Sequence, residues 1–195
     1  MFNFIKKFFN IKNKNGIDSF AIKQTNEDIL KRNNLLKQIA LEEFEKSKFF
    51  RKDKKEWFLD YILNEKNILN NTILSVEEKR NLGINTRSKV SKETLDLFIL
   101  ENLDDNIFQS KHPKDFISDF YYRVHFKVNK IIELKRLNDI EVKELKYHIT
   151  GIHKTCKWCI DKDNKKFKTN EILSLIDKNC LCDYNKSFFE PIILY

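Results

Sequence analysis

Four cysteines carry most of the chemistry this sequence can offer, and all lie between residues 156 and 182. Cys156-Lys-Trp-Cys159 is followed, after twenty intervening residues, by Cys180-Leu-Cys182. A two-residue gap lets both sulfurs of a Cys-x-x-Cys turn converge on one tetrahedral ion, and a second pair about 20 residues later closes an S4 site. The pattern Cys-x2-Cys-x20-Cys-x-Cys therefore points to structural zinc held by Cys156, Cys159, Cys180 and Cys182. The second pair is one residue shorter than in a standard zinc ribbon. Three other chemistries stay open on spacing alone. A redox Cys-x-x-Cys usually opens a helix of a thioredoxin-like α/β domain, a pattern not visible here. Two disulfides need an oxidising compartment, and the sequence shows no secretory signal. An iron–sulfur cluster accepts four thiolates, but neither familiar ferredoxin spacing is matched.

The loop between the pairs is highly polar, with Asp161, Lys162, Asp163, Lys165 and Lys166. Burial cannot order such a loop, whereas structural zinc supplies an apparent ~10–16 kcal/mol. Trp158 with Lys157, Lys165, Lys166 and Lys168 is a candidate aromatic and basic face for nucleic acid or another partner. The alternative for Trp158 is a core residue covering the metal site. His153, three residues before Cys156, is a candidate replacement ligand, while His148 falls on the polar face of an expected strand. His112 and His125 have no visible partner. No Ser-His-Asp or Cys-His arrangement stands out, and Asp104-Asp105 reads as a solvated turn. The residues predict no catalytic group and no enzyme.

The elements that must position the cysteines follow from periodicity. Acids after Thr25 open a helix carrying Ile29, Leu36, Ile39, Ala40 and Phe44. Trp57, Phe58, Tyr61, Ile62, Ile68, Leu69, Thr72 and Ile73 predict a helix over about 54–74. Ser75-Val-Glu-Glu78 is a capping box, and Gly83 suits the stop of that helix. Residues 84–90 read as a connector. Ser91 opens a helix expected to carry Leu95, Phe98, Ile99 and Leu103. Pro113 suits the first turn of a long helix to about Leu137, burying Phe116, Phe120, Val124, Val128 and Ile131. Alternation of Leu145, Tyr147 and Ile149 with polar residues then predicts a half-buried strand. The expected fold is mainly α: a helical N-terminal body with a small α+β C-terminal module of long helix, short strand or hairpin, and four-cysteine knuckle. Three regions are expected: a basic, Phe-rich segment 1–17, a helical region 18–111, and residues 112–195 with the cysteines.

Three Gly and two Pro in 195 residues exclude collagen-like and linker-like chains and argue against Gly-rich nucleotide loops. The net charge of +8 suggests a polyanionic partner less than it first does. Lys, Asn, Ile and Phe, all with AT-rich codons, make up nearly half the chain, and Lys outnumbers Arg 31 to 6. Arg is the side chain suited to bidentate phosphate and guanine contacts. The excess is +5 in residues 1–60 and only +2 in residues 141–195. Nucleic acid is thus an alternative partner rather than the favoured one. Phe2, Ile5, Phe8 and Phe9 above the lysines of residues 1–14 suggest either a membrane-surface helix or a segment docked on the body, and the latter is favoured. No stretch approaches the 18 apolar residues of a membrane span, so a cytoplasmic protein is expected.

The C-terminal residues carry a family resemblance. Val142-Lys-Glu-Leu-Lys-Tyr-His-Ile-Thr-Gly151, Thr155-Cys-Lys-Trp-Cys159, Asp163-Asn-Lys-Lys-Phe167 and Asn179-Cys-Leu-Cys182 together resemble the C-terminal module of Mu F-like phage head morphogenesis proteins. Cys156, Cys159, Cys180 and Cys182 match that module's four cysteines, and Asp163, Lys165 and Phe167 fall at matching offsets. Asn164 stands where the family has glycine, Asp177-Lys178 where it has His-Pro, and Leu181 where it has Arg. The resemblance covers about residues 113–183. It implies a minor head protein of a phage or prophage, located in the virion or cytoplasm, that meets capsid or portal proteins without catalysing a reaction.

Overall fold

Glu27 and Asp28 sit in the first turn of helix α1 (Asn26–Lys46), where unpaired N–H groups favour negative charge. The structure is a computed structural model that describes residues 26–64, 72–102, 107–151 and 155–193. Residues up to Lys31 form one unit, whose described part is the start of α1, with Lys31 paired to Glu27 at 2.5 Å. Residues 32–195 form the second unit. The basic segment 1–17, with Phe2 and its neighbours, lies outside the described residues, as do His153, Leu103 and the Asp104-Asp105 turn. No helix among the described residues is long and apolar enough to cross a membrane.

After α1 come α2 (Lys55–Asn64), α3 (Val76–Asn81), α4 (Lys92–Leu95), α5 (Ile107–Ser110) and the long α6 (Pro113–Asp139). The capping box is formed in full: Ser75 Oγ accepts from the Glu78 N–H at 3.1 Å, and Glu78 accepts from the Ser75 N–H at 2.8 Å. At the other end of α3, Gly83 takes φ 66, and the Gly83 and Ile84 N–H groups donate to Arg80 and Lys79 carbonyls. That is the Schellman arrangement, which needs a left-handed residue. Ser75→Ala is expected to cost ~1 kcal/mol, measured by urea denaturation. Lys92 and the Ser75 N–H hold the Glu78 carboxylate down to about 2 from 4.5. A depressed carboxylate stabilises the fold above its ordinary range. That contribution is therefore lost as pH falls from 4.5 through about 2.

Two expected helices do not run their full length, and Ile68 and Leu69 of the first lie outside the described residues. Residues 72–74 are extended, because the Leu74 N–H donates to Val90, the Lys92 N–H donates to Thr72, and Ile73 bridges Ser91. An N-cap at Ser75 also requires extended backbone there, with ψ 165. The helix opened by Ser91 stops at Leu95, since Phe98 and Ile99 pair with residues 49–50 instead. The long helix follows its pattern: His112 Nδ1 accepts from the Lys114 N–H at 3.2 Å, and Pro113 occupies the first turn.

The fold is mainly helical with one small antiparallel sheet, as its residue pattern predicts. Strand β1 (Glu144–His148) is central, flanked by β2 (Lys165–Lys168) and β3 (Phe188–Ile192), with α7 (Lys157–Lys162) and α8 (Ile172–Asn179) in the connections. Asn164, at φ 60 before β2, takes the left-handed conformation that Asn tolerates. Two apolar cores share α6. The first gathers Phe44, Phe50, Phe58, Phe98 and Phe120 on the helix's Phe116–Val128 stretch. The second places Leu134 with Leu145, Tyr147, Cys159, Ile172, Ile176 and Phe189. The cores therefore divide within α6, between residues 128 and 134.

Candidate metal centre

Helix ends deliver the four thiols. Cys156 is the N-cap of α7, so Cys159 falls in its first turn, one helical turn further along. Cys180 caps the C-terminal end of α8, its N–H donating to the Ile176 carbonyl at 2.9 Å, and Cys182 follows in the next loop. Ile172 and Ile176 are buried beneath the sheet, which fixes the axis of α8 and hence the place of Cys180. The ligand atoms of all four cysteines lie within 4.8 Å of one another. Cys159 Sγ is 3.4 Å from Cys180 Sγ and 3.8 Å from Cys182 Sγ. A tetrahedral tetrathiolate ion with metal–sulfur bonds of about 2.3 Å needs sulfurs about 3.8 Å apart. The residues present fit such an ion. All four thiols are free, and these separations are non-bonded contacts, not disulfides.

The backbone supports the same geometry. The Cys156 N–H donates to Cys182 Sγ at 3.2 Å, and the Leu181 N–H donates to Cys156 Sγ at 3.4 Å. Each knuckle thus donates a backbone N–H to a sulfur of the other, a bond that favours thiolate over thiol. Cys180 is pulled down to about 5 by the hydrogen bond from Cys159, against burial, with help from Asn185. Cys159 is correspondingly pushed up by that hydrogen bond and by burial. Burial lifts Cys182 to about 11, while for Cys156 burial is outweighed by hydrogen bonds from the Cys159 and Leu181 N–H groups together with those of the Cys159 and Cys182 side chains, which lower it. Within the cluster the proton is shared unequally, as expected where like charges are crowded.

Two further side chains touch the thiols. The fully buried Tyr147 donates its hydroxyl to Cys159 Sγ at 3.2 Å. Asn185 donates from Nδ2 to Cys180 Sγ at 3.3 Å, to Cys159 Sγ at 3.4 Å and to the Tyr147 oxygen at 2.9 Å. The alternation that predicts β1 places Tyr147 inward but is silent on its hydroxyl. Asn185 has no spacing signature at all. Beside the thiols a cleft of about 330 Å³ opens between α6 and α8. Two of its cations are engaged: Lys127 with Glu43 at 3.2 Å and Asp177 at 2.8 Å, and Arg123 with the Asp183 carbonyl at 2.7 Å.

The candidate contact face divides. Trp158 is half-buried in the second core, its ring edge-on to Tyr147 with centroids 5.9 Å apart. Lys165 aligns with Tyr147 on the inner side of the sheet, whereas Lys166 and Lys168 align with Lys146 and Glu144 on the outer side. Lys168 is also paired with Glu171 at 3.2 Å, and Lys157 is exposed on α7. These five residues do not share one face. His148 is placed away from the thiols, 2.8 Å from Glu190 and stacked on Phe188. His125 packs on Tyr121, with burial holding it down to about 4.

Cys156 does open a helix, as a redox Cys-x-x-Cys does, but the sheet beside it is three-stranded and wholly antiparallel. The two-pair arrangement is what a closed metal site requires, and it leaves the thiols able to bind a single ion. Searches for relatives add no family: no protein-family model, no curated protein and no solved structure matches the chain.

Proposed function

We propose that this chain is a non-enzymatic structural protein whose C-terminal module is closed by one zinc ion held by Cys156, Cys159, Cys180 and Cys182. The observation that carries this reading is the convergence of four thiols within 4.8 Å. Four soft thiolates in tetrahedral array suit zinc or an iron–sulfur cluster, and the cysteine spacing departs from the ferredoxin patterns. Four protein ligands leave no open position for a substrate, which is the arrangement of a structural rather than a catalytic zinc. The module then serves as a rigid surface for protein partners. Its sequence resemblance to phage head morphogenesis proteins supports capsid or portal components as those partners, met in the cytoplasm or the virion.

Elemental analysis tests the metal. Protein purified under reducing conditions is expected to carry one zinc per chain, and Cys159→Ser to lose most of it. Iron in place of zinc, or metal-free protein with four titratable thiols, overturns the assignment. Co-purification with portal or capsid proteins encoded beside the same gene tests the role.

A further inference from the structure

We infer that Asn185 and Lys130 form the outer shell of the thiolate centre and couple its charge to helix α6. This rests on the metal reading above. Asn185 uses both ends of its side chain. Its amide donates to Cys180 and Cys159, while its Oδ1 accepts from the Ser187 N–H at 3.0 Å and from the Ser187 hydroxyl. The carboxamide cannot rotate without breaking both sets of bonds. Its backbone carbonyl accepts from Lys130 Nζ at 2.6 Å. One residue therefore joins the sulfurs to an ammonium on α6.

Lys130 is an unusual lysine. It is 4% exposed, and its ammonium lies 5.5 Å from the Phe126 ring. Among the described residues no carboxylate forms an ion pair with it. Glu133, Cys180 and Cys159 act on it through space. Burial alone holds it down to about 8. Lys127, one turn earlier, shows the contrast, since two carboxylates neutralise it. A buried cation is retained only where negative charge compensates it. Four thiolates around a divalent ion carry a net charge of −2, and that charge joins Glu133 in compensating a lysine that no carboxylate pairs directly. Amide N–H donation to sulfur and a nearby cation both favour the deprotonated ligands that metal binding requires. Lys130 and Asn185 are positioning residues in this sense: neither ligates the ion.

The test uses the full chain, with zinc affinity read by competition against a chromophoric chelator and ligand geometry read from the cobalt–thiolate absorption bands. Lys130→Met and Asn185→Asp are each expected to weaken zinc binding on the order of 10–100-fold. Lys130→Arg keeps the charge and is expected to stay within about threefold of wild type. Lys79→Met is the control, because Lys79 is also buried and also donates to a carbonyl, that of Thr86 at 3.3 Å, but in the first core's region. Its zinc affinity is expected to be unchanged. Wild-type affinity in both Lys130→Met and Asn185→Asp overturns the inference and leaves the metal reading intact. Absence of cobalt–thiolate bands in the wild-type chain overturns both. Should Lys130→Met fail to fold, as judged by helical circular dichroism, the comparison of Asn185→Asp with Lys130→Arg decides.

Discussion

On the zinc assignment proposed above, chelating the metal from the reduced chain is expected to unfold strands β1 to β3 with α7 and α8, while leaving the helices of residues 26–139 in place. The second core is small. Its buried members are Leu134, Leu145, Tyr147, Cys159, Ile172, Ile176 and Phe189, and one of them is itself a metal-ligand candidate. Strands β2 and β3 are both edge strands, of four and five residues, so the sheet's stability rests on the apolar face it packs into this small core. The helices α7 and α8, of 6 and 8 residues, are too short to persist alone. An apparent zinc contribution of about 10–16 kcal/mol is of the same size as the total stability of a typical domain, about 5–15 kcal/mol. Hydrogen exchange is the direct measurement: peptides from 144–192 should lose protection on chelation and regain it on adding zinc. Peptides from α1 and from the N-terminal half of α6 should not change. Full retention of protection in protein shown to be metal-free would mean that the module folds without the ion.

The second large effect belongs to the first core. Phe58→Ala is expected to destabilise the chain by ~3–5 kcal/mol, the range for deleting a buried phenylalanine. Phe58 is wholly buried, with ring centroids 4.5 Å from Phe50, 5.0 Å from Phe120 and 5.3 Å from Phe44. Those rings come from α1, α2, α6 and the segment after α1, so the cavity would open where four parts of the body meet. Edge-on packing against Phe120 contributes beyond area burial, ~0.5–1.5 kcal/mol per favourable pair. Phe58→Leu keeps most of the volume and is expected to cost under about 1.5 kcal/mol. Urea unfolding followed by fluorescence reads both. Trp57 stacks on Tyr61, which packs against this core, and Trp158 packs against the other, so variants lacking one tryptophan assign each transition.

Local signals in the sequence translated well. Ser75 with Glu78 and Pro113 after His112 rest on contacts within a few residues, the Leu145–Tyr147 alternation is a pattern within one strand, and each is present. The cysteine cluster was legible for a related reason: two short gaps set two local turns, and only their meeting is long-range. Ile73 and Phe98 misled because the backbone groups on either side of each are satisfied across the chain: Thr72 and Leu74 by residues 90–92, Leu97 and Ile99 by residues 49–51. Periodicity sees side-chain faces, not distant backbone partners. Lys130 and Asn185 were invisible for the same reason, being 55 residues apart and joined through a main-chain carbonyl. Lys130 does stand four residues before the buried Leu134, where α6 turns its apolar face from one core to the other.

The strand order β2-β1-β3 has a consequence for how the module assembles. Strand β1 meets β2 across a short connection that, among the described residues, holds α7, so that pairing closes early. Its pairing with β3 joins residues 144–148 to 188–192, with all four cysteines in the intervening loop. Contacts of large sequence separation form late, because the loop's entropy is lost before the contact is gained. Until β3 returns, the thiols belong to a half-formed sheet and are open to oxidants. An ion captured at that stage ties residue 159 to residue 180 and shortens the stretch of chain left to close. Metal supply would then govern the rate at which the module matures, as well as its final stability.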